Sequence, residues 1–277
     1  MRLLFVGDVV GRSGRKVLLE TLPRLRRRYS LDFVIVNGEN AAGGFGITEA
    51  ILSEFLEAGA DCVTLGNHAF DQKDALVFID RQPRLVRPLN LPNGTPGRGA
   101  GLYKAANGAD VLVINALGRV FMNEMDCPFR AIDNEITACK LKQGADAIFI
   151  DFHAEATSEK QSAGHFLDGR VSAVIGTHTH APTSDHRVMR GGTAFMSDAG
   201  MTGDYDSVLG MDTTEPVHRF LTRIPNERFT PADGAATLAG AAIDIDDKTG
   251  RATAIMPVRL GGVLAPTEPL AWIEREI

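Results

Sequence analysis

Residues 171–180, with the sequence VSAVIGTHTH, join a pattern typical of a buried strand to a pair of histidines. The apolar, β-branched run 171–175 predicts a strand that stops at Gly176, so that His178 and His180 enter a loop at the edge of a sheet. Because they are two positions apart, the two imidazoles can point at nearly the same place. This spacing is typical of metal ligands, although two surface histidines in a turn would show it as well. The other strand ends of the chain decide between these interpretations.

The succession of an apolar strand, a short polar loop and a helix recurs along the chain. Apolar runs predict further strands at residues 2–6, 33–36, 62–65, 111–115 and 147–150. Helical spacing of apolar residues predicts helices at residues 15–29, 48–56 with Thr48 as N-cap, 73–80, 133–142 and 158–167. We therefore expect an α/β fold, with residues 1–277 forming a single domain.

Two kinds of segment interrupt this succession. Residues 83–101 are rich in Pro, Gly and Asn, which predicts irregular loop. Residues 187–189 and 193–196 predict a hairpin that turns at Gly191 and Gly192, and residues 239–245 and 252–260 predict a second hairpin. The C-terminal part is therefore expected to be rich in strands.

The composition argues against several classes of partner. With 29 basic and 35 acidic residues the formal net charge is −6, so neither an extended nucleic-acid surface nor a membrane-binding face is expected. The apolar start is too short for a secretory signal and no run is long enough to span a bilayer, which predicts a cytoplasmic protein. Cys62, Cys127 and Cys139 lack a Cys-x-x-Cys spacing, so we expect reduced, structural thiols and no thiolate metal site.

Polar side chains lie within a few residues after five of the predicted strands, those at 2–6, 33–36, 62–65, 147–150 and 171–175. In α/β folds, ligands bind beyond the carboxyl ends of the strands, where loops vary on a fixed base. Each residue alone has an ordinary explanation as a cap, a turn residue or a buried core histidine. Their common position predicts one site, and its candidate residues are Asp8, Glu39, Asn40, Asn67, His68, His153, His178 and His180.

The donor types of this set indicate the chemistry. Carboxylate, amide and imidazole groups without thiolate suit Mn, Fe or Zn better than a dedicated Ca or Mg cage. The set is large enough for two ions if one carboxylate bridges them. Such a pair activates water and stabilises charge on both the attacking and the leaving oxygen, which is the chemistry of phosphoester hydrolysis.

The ordered motifs resemble the signature of the calcineurin-like metallophosphoesterase superfamily. They are GD at 7–8, GNH at 66–68, His153 and GTHTH at 176–180. Val10 stands where that superfamily usually has a histidine, and the GEN run at 38–40 stands where a bridging aspartate is usual. These departures resemble the YmdB-like branch of bacterial phosphodiesterases, as do GDVVG at 7–11, NGENAAGG at 37–44 and DAGMTG at 198–203.

The resemblance implies a four-layer, mixed β-sandwich flanked by helices, with a dimetal site at the carboxyl ends of the strands. It also implies two ligand sets that share Glu39 as the bridge: Asp8, Asn40 and His180 for one ion, and Asn67, His153 and His178 for the other. Because the amide of Asn40 replaces a histidine, the two divalent or trivalent transition-metal ions are expected to be Fe or Mn in preference to Zn. His68 would be the proton donor to the leaving oxygen.

The substrates implied by this branch are cyclic nucleotides, with 2′,3′-cyclic phosphates favoured and 3′,5′-cyclic phosphates also compatible. A metal-bridging hydroxide would attack the phosphodiester. Residues 41–46, with Phe45, and 200–205 are candidate walls for the nucleoside, or else plain turns. Met122 and Met125 fit either core packing or the contact of a homo-oligomer.

Other functions and other histidines fit the pattern less well. A nucleotide sensor could keep the metals with negligible turnover, a nuclease would need a basic groove, and a phosphomonoesterase would need further cations. His165, His186 and His218 follow no predicted parallel strand and are expected to be structural or exposed. Three acidic residues are candidates for orienting the ligating histidines, namely Asp151, Glu155 and Asp198.

Overall fold

The computed structural model describes residues 1–273, in which strands and helices alternate over most of the chain. The strands are β1 Arg2–Val6, β2 Phe33–Asn37, β3 Cys62–Thr64, β4 Leu85–Val86, β5 Ala100–Lys104, β6 Asp110–Leu117, β7 Ala147–His153, β8 Ala173–Thr177, β9 Arg187–Val188, β10 Ala194–Met196, β11 Gly203–Asp204, β12 Ala236–Ile245 and β13 Ala252–Gly261. The α-helices are α1 Gly11–Arg28, α2 Glu49–Glu57, α3 Ala75–Phe78, α4 Pro128–Ala138, α5 Thr157–Leu167, α6 Thr214–Thr222 and α7 Leu270–Ile273.

The strands form two mixed sheets. The order of the first sheet is β11-β12-β1-β2-β3-β4, with β13 also paired to β12, and the order of the second is β5-β6-β7-β8-β10-β9. Strands β1 to β4 are parallel to one another, and so are β6, β7, β8 and β10. Since parallel strands end at the same edge of a sheet, the loops that follow them are brought together.

Alternation along the strands divides the apolar side chains among three layers of core. Leu3 and Phe5 of β1 lie in the cluster between the two sheets, where Phe5 packs against Phe149 with ring centroids 5.0 Å apart. Leu4 and Val6 lie in the cluster between the first sheet and its helices, and a third cluster joins the second sheet to α4 and α5. This period of two is the property of a strand buried on both faces. The predicted four-layer α/β architecture is confirmed.

Several predicted boundaries are confirmed. Thr48 caps α2 by accepting a hydrogen bond from the backbone N–H of Ile51 at 3.3 Å. The two predicted hairpins form, because β9 pairs antiparallel with β10 and β12 pairs antiparallel with β13.

Other boundaries differ from the prediction. Helix α4 begins and ends earlier than residues 133–142, because Pro128 occupies the first turn and supplies a backbone torsion suited to a helix start. The helix expected at 73–80 is the short α3 followed by a 3₁₀ turn at Ile79–Arg81. Residues 83–101 are not wholly irregular, since they contain β4 and the start of β5.

The strand before the histidines also continues past the predicted stop. Gly176 lies inside β8, which ends at Thr177. A Cβ at Gly176 would overlap the carbonyl oxygen of Ser197, so the glycine is needed for close approach of two backbones and does not end the strand.

In the described part of the chain, no helix has both the length and the apolar character that crossing a bilayer requires.

Candidate metal centre

The candidate residues come from the ends of strands in both sheets. Asp8, Glu39 and Asn67 follow β1, β2 and β3 of the first sheet, whereas His153 ends β7 and His178 follows β8 of the second. Asp8, Glu39, Asn40, His153 and His180 are buried, and His68 and His178 are partly exposed. The structure therefore brings the predicted set to one place where the two sheets meet.

The closest convergence surrounds the Nε2 atom of His153. Glu39 Oε1 lies 2.9 Å from it, Asn67 Oδ1 lies 2.8 Å from it, and His178 Nδ1 lies 3.0 Å from it. One ligand atom each from Glu39, His153 and His178 lies within 4.8 Å of the other two. Neighbouring ligands of an ion with bonds of about 2.1 Å lie about 3 Å apart, so these separations suit a transition metal.

A hydrogen-bond chain determines which nitrogen of His153 is protonated. Asp151 accepts hydrogen bonds from Asn37 Nδ2 at 3.0 Å, from Thr64 Oγ1 at 2.6 Å and from Thr177 Oγ1 at 2.6 Å. Since the hydroxyl proton of Thr177 is donated to Asp151, its oxygen can only accept from His153 Nδ1, which lies 2.9 Å away. The Nε2 atom of His153 then carries a free lone pair, which points at the candidate ligand atoms of Glu39, Asn67 and His178.

The other two histidines are arranged in the same way. His180 Nδ1 donates to the carbonyl oxygen of Leu209 at 2.9 Å, which leaves its Nε2 without a proton. His178 Nε2 faces Glu155 Oε2 at 3.3 Å, which favours a proton on Nε2 and a free lone pair on Nδ1. Both nitrogens of the His153–His178 contact are thus acceptors, and the nearby oxygens of Glu39 and Asn67 are acceptors too. A cation satisfies all four groups, so the donor set fits a metal ion.

A second group of buried acceptors lies in the same loops. Asp8 Oδ1 and Asn40 Oδ1 are buried and have no hydrogen-bond donor within the described residues. The Oδ2 atom of Asp8 accepts from the backbone N–H of His178 at 3.2 Å, and Asn40 Nδ2 donates to the carbonyl oxygen of Gly44 at 3.0 Å. Each residue is therefore held by one end, and the other end carries a lone pair that needs a positive partner.

Burial and charge change the pKa values of the site. Burial lowers the pKa of His178 and the neighbouring His153 lowers it further, to about 3, so His178 is neutral and can use its lone pair. Burial also lowers the pKa of His180 and raises that of Asp8. Burial opposes a charge on His153 as well, but the Glu39 carboxylate overcomes it and raises the pKa of His153. A proton and a metal ion are alternatives at His153 Nε2, because both need the same lone pair.

The loop that carries His178 and His180 has an unusual backbone that buried polar groups hold in place. Both histidines have left-handed φ angles, 95° and 62°. Between them, the backbone N–H and hydroxyl of Thr179 donate to Asp198 Oδ2 at 3.1 and 2.7 Å. The buried Lys160 Nζ lies 2.8 Å from the same oxygen. The strained geometry persists because this ion pair fixes the residue between the two histidines.

His68 lies at the edge of the buried cluster. Its backbone N–H donates to Glu39 Oε2 at 3.1 Å, and its Nδ1 lies 2.7 Å from Asp71 Oδ2. Its ring makes a T-shaped contact with the ring of Phe45, with centroids 5.1 Å apart. The turn before it requires glycine, since a Cβ at Gly66 would overlap Glu39 Oε2 and lie 2.6 Å from His153 Nε2. His68 therefore lies beside the candidate metal ligands around His153 but is not one of them.

A cavity of about 560 Å³ opens onto these residues. Five of the predicted residues line it: Glu39, Asn40, His68, His178 and His180. The rest of the lining is mostly apolar and consists of Phe45, Val208, Leu209, Met211, Pro216, Arg219, Phe220, Arg223 and Phe229. The cavity combines a polar floor with an apolar surround, which is typical of a site for a small organic ligand.

Sequence reasoning found only part of this lining. Phe45, one of the candidate wall residues, lines the cavity, whereas Met201 and Tyr205 of the segment 200–205 line a neighbouring cavity of about 480 Å³. Helix α6 and its flanks were missed, because the C-terminal part was expected to consist mainly of strands. The run of Thr213, Thr214, Glu215 and Pro216 is a helix-start pattern and could have revealed α6.

The remaining polar predictions have mixed positions. His165 and His218 lie on the helices α5 and α6. Asp151 contacts His153 indirectly, through the hydroxyl of Thr177, and Glu155 contacts His178 directly. Asp198 instead binds Thr179, the residue between His178 and His180.

A scan against protein-family models matches residues 4–258 to the model described as "YmdB-like protein". The chain belongs to the YmdB-like family. A relative from Bacillus subtilis (strain 168), named 2′,3′-cyclic-nucleotide 2′-phosphodiesterase, is 51% identical over 255 residues, which cover 92% of this chain and 95% of the relative.

Solved structures of similar proteins share the fold of this chain. A hypothetical protein from Thermus thermophilus superimposes with a TM-score of 0.87 at 41% identity, covering 95% of this chain and 100% of the other. A protein from Mycoplasma pneumoniae described as a novel phosphatase superimposes with a TM-score of 0.86 at 31% identity, covering 99% of this chain and 96% of the other. The architecture is thus that of a metallophosphoesterase-like fold.

Proposed function

We propose that this YmdB-like protein is a metal-dependent phosphoric diester hydrolase that opens the ring of 2′,3′-cyclic nucleotides, with 3′,5′-cyclic nucleotides as compatible substrates. The observation that carries the proposal is the contact of three acceptor groups, from Glu39, Asn67 and His178, with His153 Nε2, beside a cavity large enough for a small organic ligand that Glu39 and His178 line. The name of the relative that is 51% identical supports the choice of substrate.

The proposed ligands form two sets with Glu39 as the shared member. His153, His178 and Asn67 complete one set, and Asp8, Asn40 and His180 complete the other. The contacts at 2.8–3.0 Å support the first set, and the buried oxygens of Asp8 and Asn40 that accept no hydrogen bond from the described residues support the second. The many oxygen donors favour Fe or Mn over Zn.

When bound, the ions supply an activated water and neutralise charge on the phosphate oxygens. The side chains of the protein do the rest. Glu39 and His153 are buried, which limits their motion, and the hydrogen bonds to the hydroxyl of Thr177 and the carbonyl oxygen of Leu209 hold His153 and His180 in the required tautomers. A cyclic phosphodiester carries one negative charge, so it does not require an extended basic surface.

His68 is the proposed proton donor. Its Nδ1 faces the carboxylate of Asp71, so a doubly protonated imidazole keeps Nδ1–H on Asp71 and presents Nε2–H to the cavity. That proton passes to the departing ribose oxygen, O2′ in a 2′,3′-cyclic substrate, and leaves a 3′-monophosphate. A purely sensory protein would not need this donor, which favours an enzyme over a nucleotide sensor.

A substrate screen tests the proposal. Purified protein supplied with Mn or Fe is incubated with 2′,3′- and 3′,5′-cyclic nucleotides, RNA and phosphomonoesters. We expect fastest turnover of a 2′,3′-cyclic nucleotide to the 3′-monophosphate. Binding without turnover would indicate the sensor, and faster cleavage of RNA or a monoester would indicate the nuclease or the phosphomonoesterase. Any of these results contradicts the proposal.

A single domain over residues 1–277, a cytoplasmic location and a homo-oligomeric state stay predictions from the sequence.

A further inference from the structure

Phe220 has an unusual combination of exposure and position. It lies on α6, its side chain is 84% exposed, and it nevertheless lines the cavity that contains the candidate ligands. Val217 and Leu221 of the same helix are exposed as well, and an exposed apolar patch, unlike a single exposed side chain, is typical of a binding surface. In the described part of the chain, its ring has no aromatic or cationic stacking partner.

The other aromatic rings of the cavity are already engaged. The guanidinium carbon of Arg219 lies 4.1 Å from the ring centroid of Phe229, a cation–π contact that covers one face of that ring. Phe45 meets the ring of His68. Phe220 is thus the cavity aromatic whose ring is available to a ligand.

We propose that Phe220 is the stacking platform for the nucleobase of the substrate. This inference rests on the proposed function. It names the residue that binds the nucleobase, the part of the substrate that the metal-binding residues do not contact. The phosphate occupies the polar floor near His178 and Glu39, and the base extends to the apolar side formed by α6. An aromatic ring stacks on any base, so Phe220 provides affinity for nucleotides without choosing among bases.

The neighbouring residue on the helix separates this role from other uses of an exposed apolar side chain. Leu221 is 80% exposed on the same helix but is absent from the cavity lining. If the apolar surface of α6 served only to contact another protein, neither Phe220 nor Leu221 would affect the preference for a nucleotide over a cyclic phosphodiester without a base. If Phe220 binds a base, only Phe220 affects nucleotide turnover.

The test compares Phe220→Ala, Phe220→Trp and Leu221→Ala with the wild type on two substrates. Adenosine 2′,3′-cyclic phosphate has a base, and glycerol 1,2-cyclic phosphate is a cyclic phosphodiester without one. We expect the ratio of kcat/KM for the nucleotide to that for the glycerol compound to fall about 5- to 100-fold in Phe220→Ala, mainly through KM. The ratio should stay within about twofold of the wild type in Leu221→Ala and recover in Phe220→Trp.

An unchanged ratio in Phe220→Ala, or an equal fall in Leu221→Ala, would overturn the inference. Calorimetric binding of adenosine 3′-monophosphate and of inorganic phosphate separates this result from a failure of the proposed function. If the wild type hydrolyses neither substrate, the proposed activity is wrong. The base site is then supported if Phe220→Ala weakens binding of the nucleotide about tenfold relative to phosphate, and it is rejected if both are bound as in the wild type.

Discussion

At the scale of single residues, the direction of one hydroxyl proton prepares His153 for its proposed role. Thr177 donates to Asp151 and accepts from His153, so replacing the hydroxyl removes both contacts. The free lone pair of His153 then loses its fixed direction. Loss of a group that orients a ligating histidine typically weakens metal binding.

We expect Thr177→Val to weaken metal binding by about 10- to 100-fold and to lower the free energy of unfolding by about 1–3 kcal/mol, because buried Asp151 loses a donor. Thr177→Ser keeps the hydroxyl and serves as the matched control. Metal titration and urea unfolding of both variants measure the two effects. Equal metal affinity in the valine and serine variants would show that the hydroxyl does not orient His153.

The role of His68 can be separated from metal binding. We expect His68→Ala to retain its metals but to lose about 10²-fold or more in turnover of a cyclic nucleotide, the usual contribution of a positioned acid. His165→Ala, which removes an exposed histidine from α5, is the control. Elemental analysis and steady-state kinetics provide the measurements. Wild-type turnover in His68→Ala would remove this residue from the mechanism.

The sequence could identify the candidate side chains but not their proton positions. Asp8, Asn67 and His153 stand out because each comes at or just after the end of a strand, and that is a local property of the chain. The tautomer of His180 depends on the carbonyl oxygen of Leu209, 29 residues away. Contacts of this kind exist only after folding.

At the scale of elements, Asp185 ties the segment after the histidine loop to the end of β10. Its carboxylate accepts from Thr183 Oγ1 at 2.7 Å and from the backbone N–H and hydroxyl of Ser197 at 3.0 and 2.6 Å. Burial opposes ionisation of Asp185, but these hydrogen bonds outweigh it and hold its pKa below the ordinary value.

Asp185 should therefore contribute stability that depends on pH. The unfolded-state pKa of Asp185 is about 3.9, and its folded-state pKa is lower. The stabilising contribution is therefore fully present above about pH 3.9 and is lost as the pH falls through the folded-state pKa. We expect Asp185→Asn to be less stable than the wild type at about pH 7, with a difference that narrows below about pH 4.

Urea unfolding of both proteins over this pH range measures the difference. Asp74→Asn is a suitable control, since Asp74 is exposed and its side chain makes no capping hydrogen bond. A difference between the wild type and Asp185→Asn that stays constant down to about pH 3 would contradict the assignment of this contribution to ionised Asp185.

Elements with a strong apolar pattern can be predicted from the sequence. Elements whose bounds depend on contacts with distant parts of the chain cannot. The apolar runs of β1, β2 and β7 have no competing interpretation. The end of β8 was placed too early because Gly176 resembles a strand terminator, whereas its small size serves contact with Ser197. Strands as short as β4 carry too few residues for a periodic signal.

At the scale of the whole molecule, metal binding should stabilise the fold. The acceptor atoms that meet around His153 belong to loops from both sheets, and an ion that binds only the folded chain shifts the unfolding equilibrium. We expect a chelator to lower the free energy of unfolding by about 2.7 kcal/mol if the metal was present at a hundredfold excess over its Kd.

Calorimetry of the metal-loaded protein with and without chelator measures this effect. In His178→Ala the chelator should have a smaller effect, because one proposed ligand is already absent. An unchanged Tm after complete metal removal, verified by elemental analysis, would contradict stabilisation through these residues.

The proposed metal ligands belong to loops of two different sheets, so a substitution deep in the interior can change the geometry of the metal site. Phe5 and Phe149 meet between the sheets, and neither belongs to the cavity lining. A slip of one sheet along the other by about 0.5 Å would leave the pairing within each sheet intact and still exceed the tolerance of a coordination geometry. The number of metal ions bound per chain in a purified sample therefore reports whether the two sheets are packed correctly against each other.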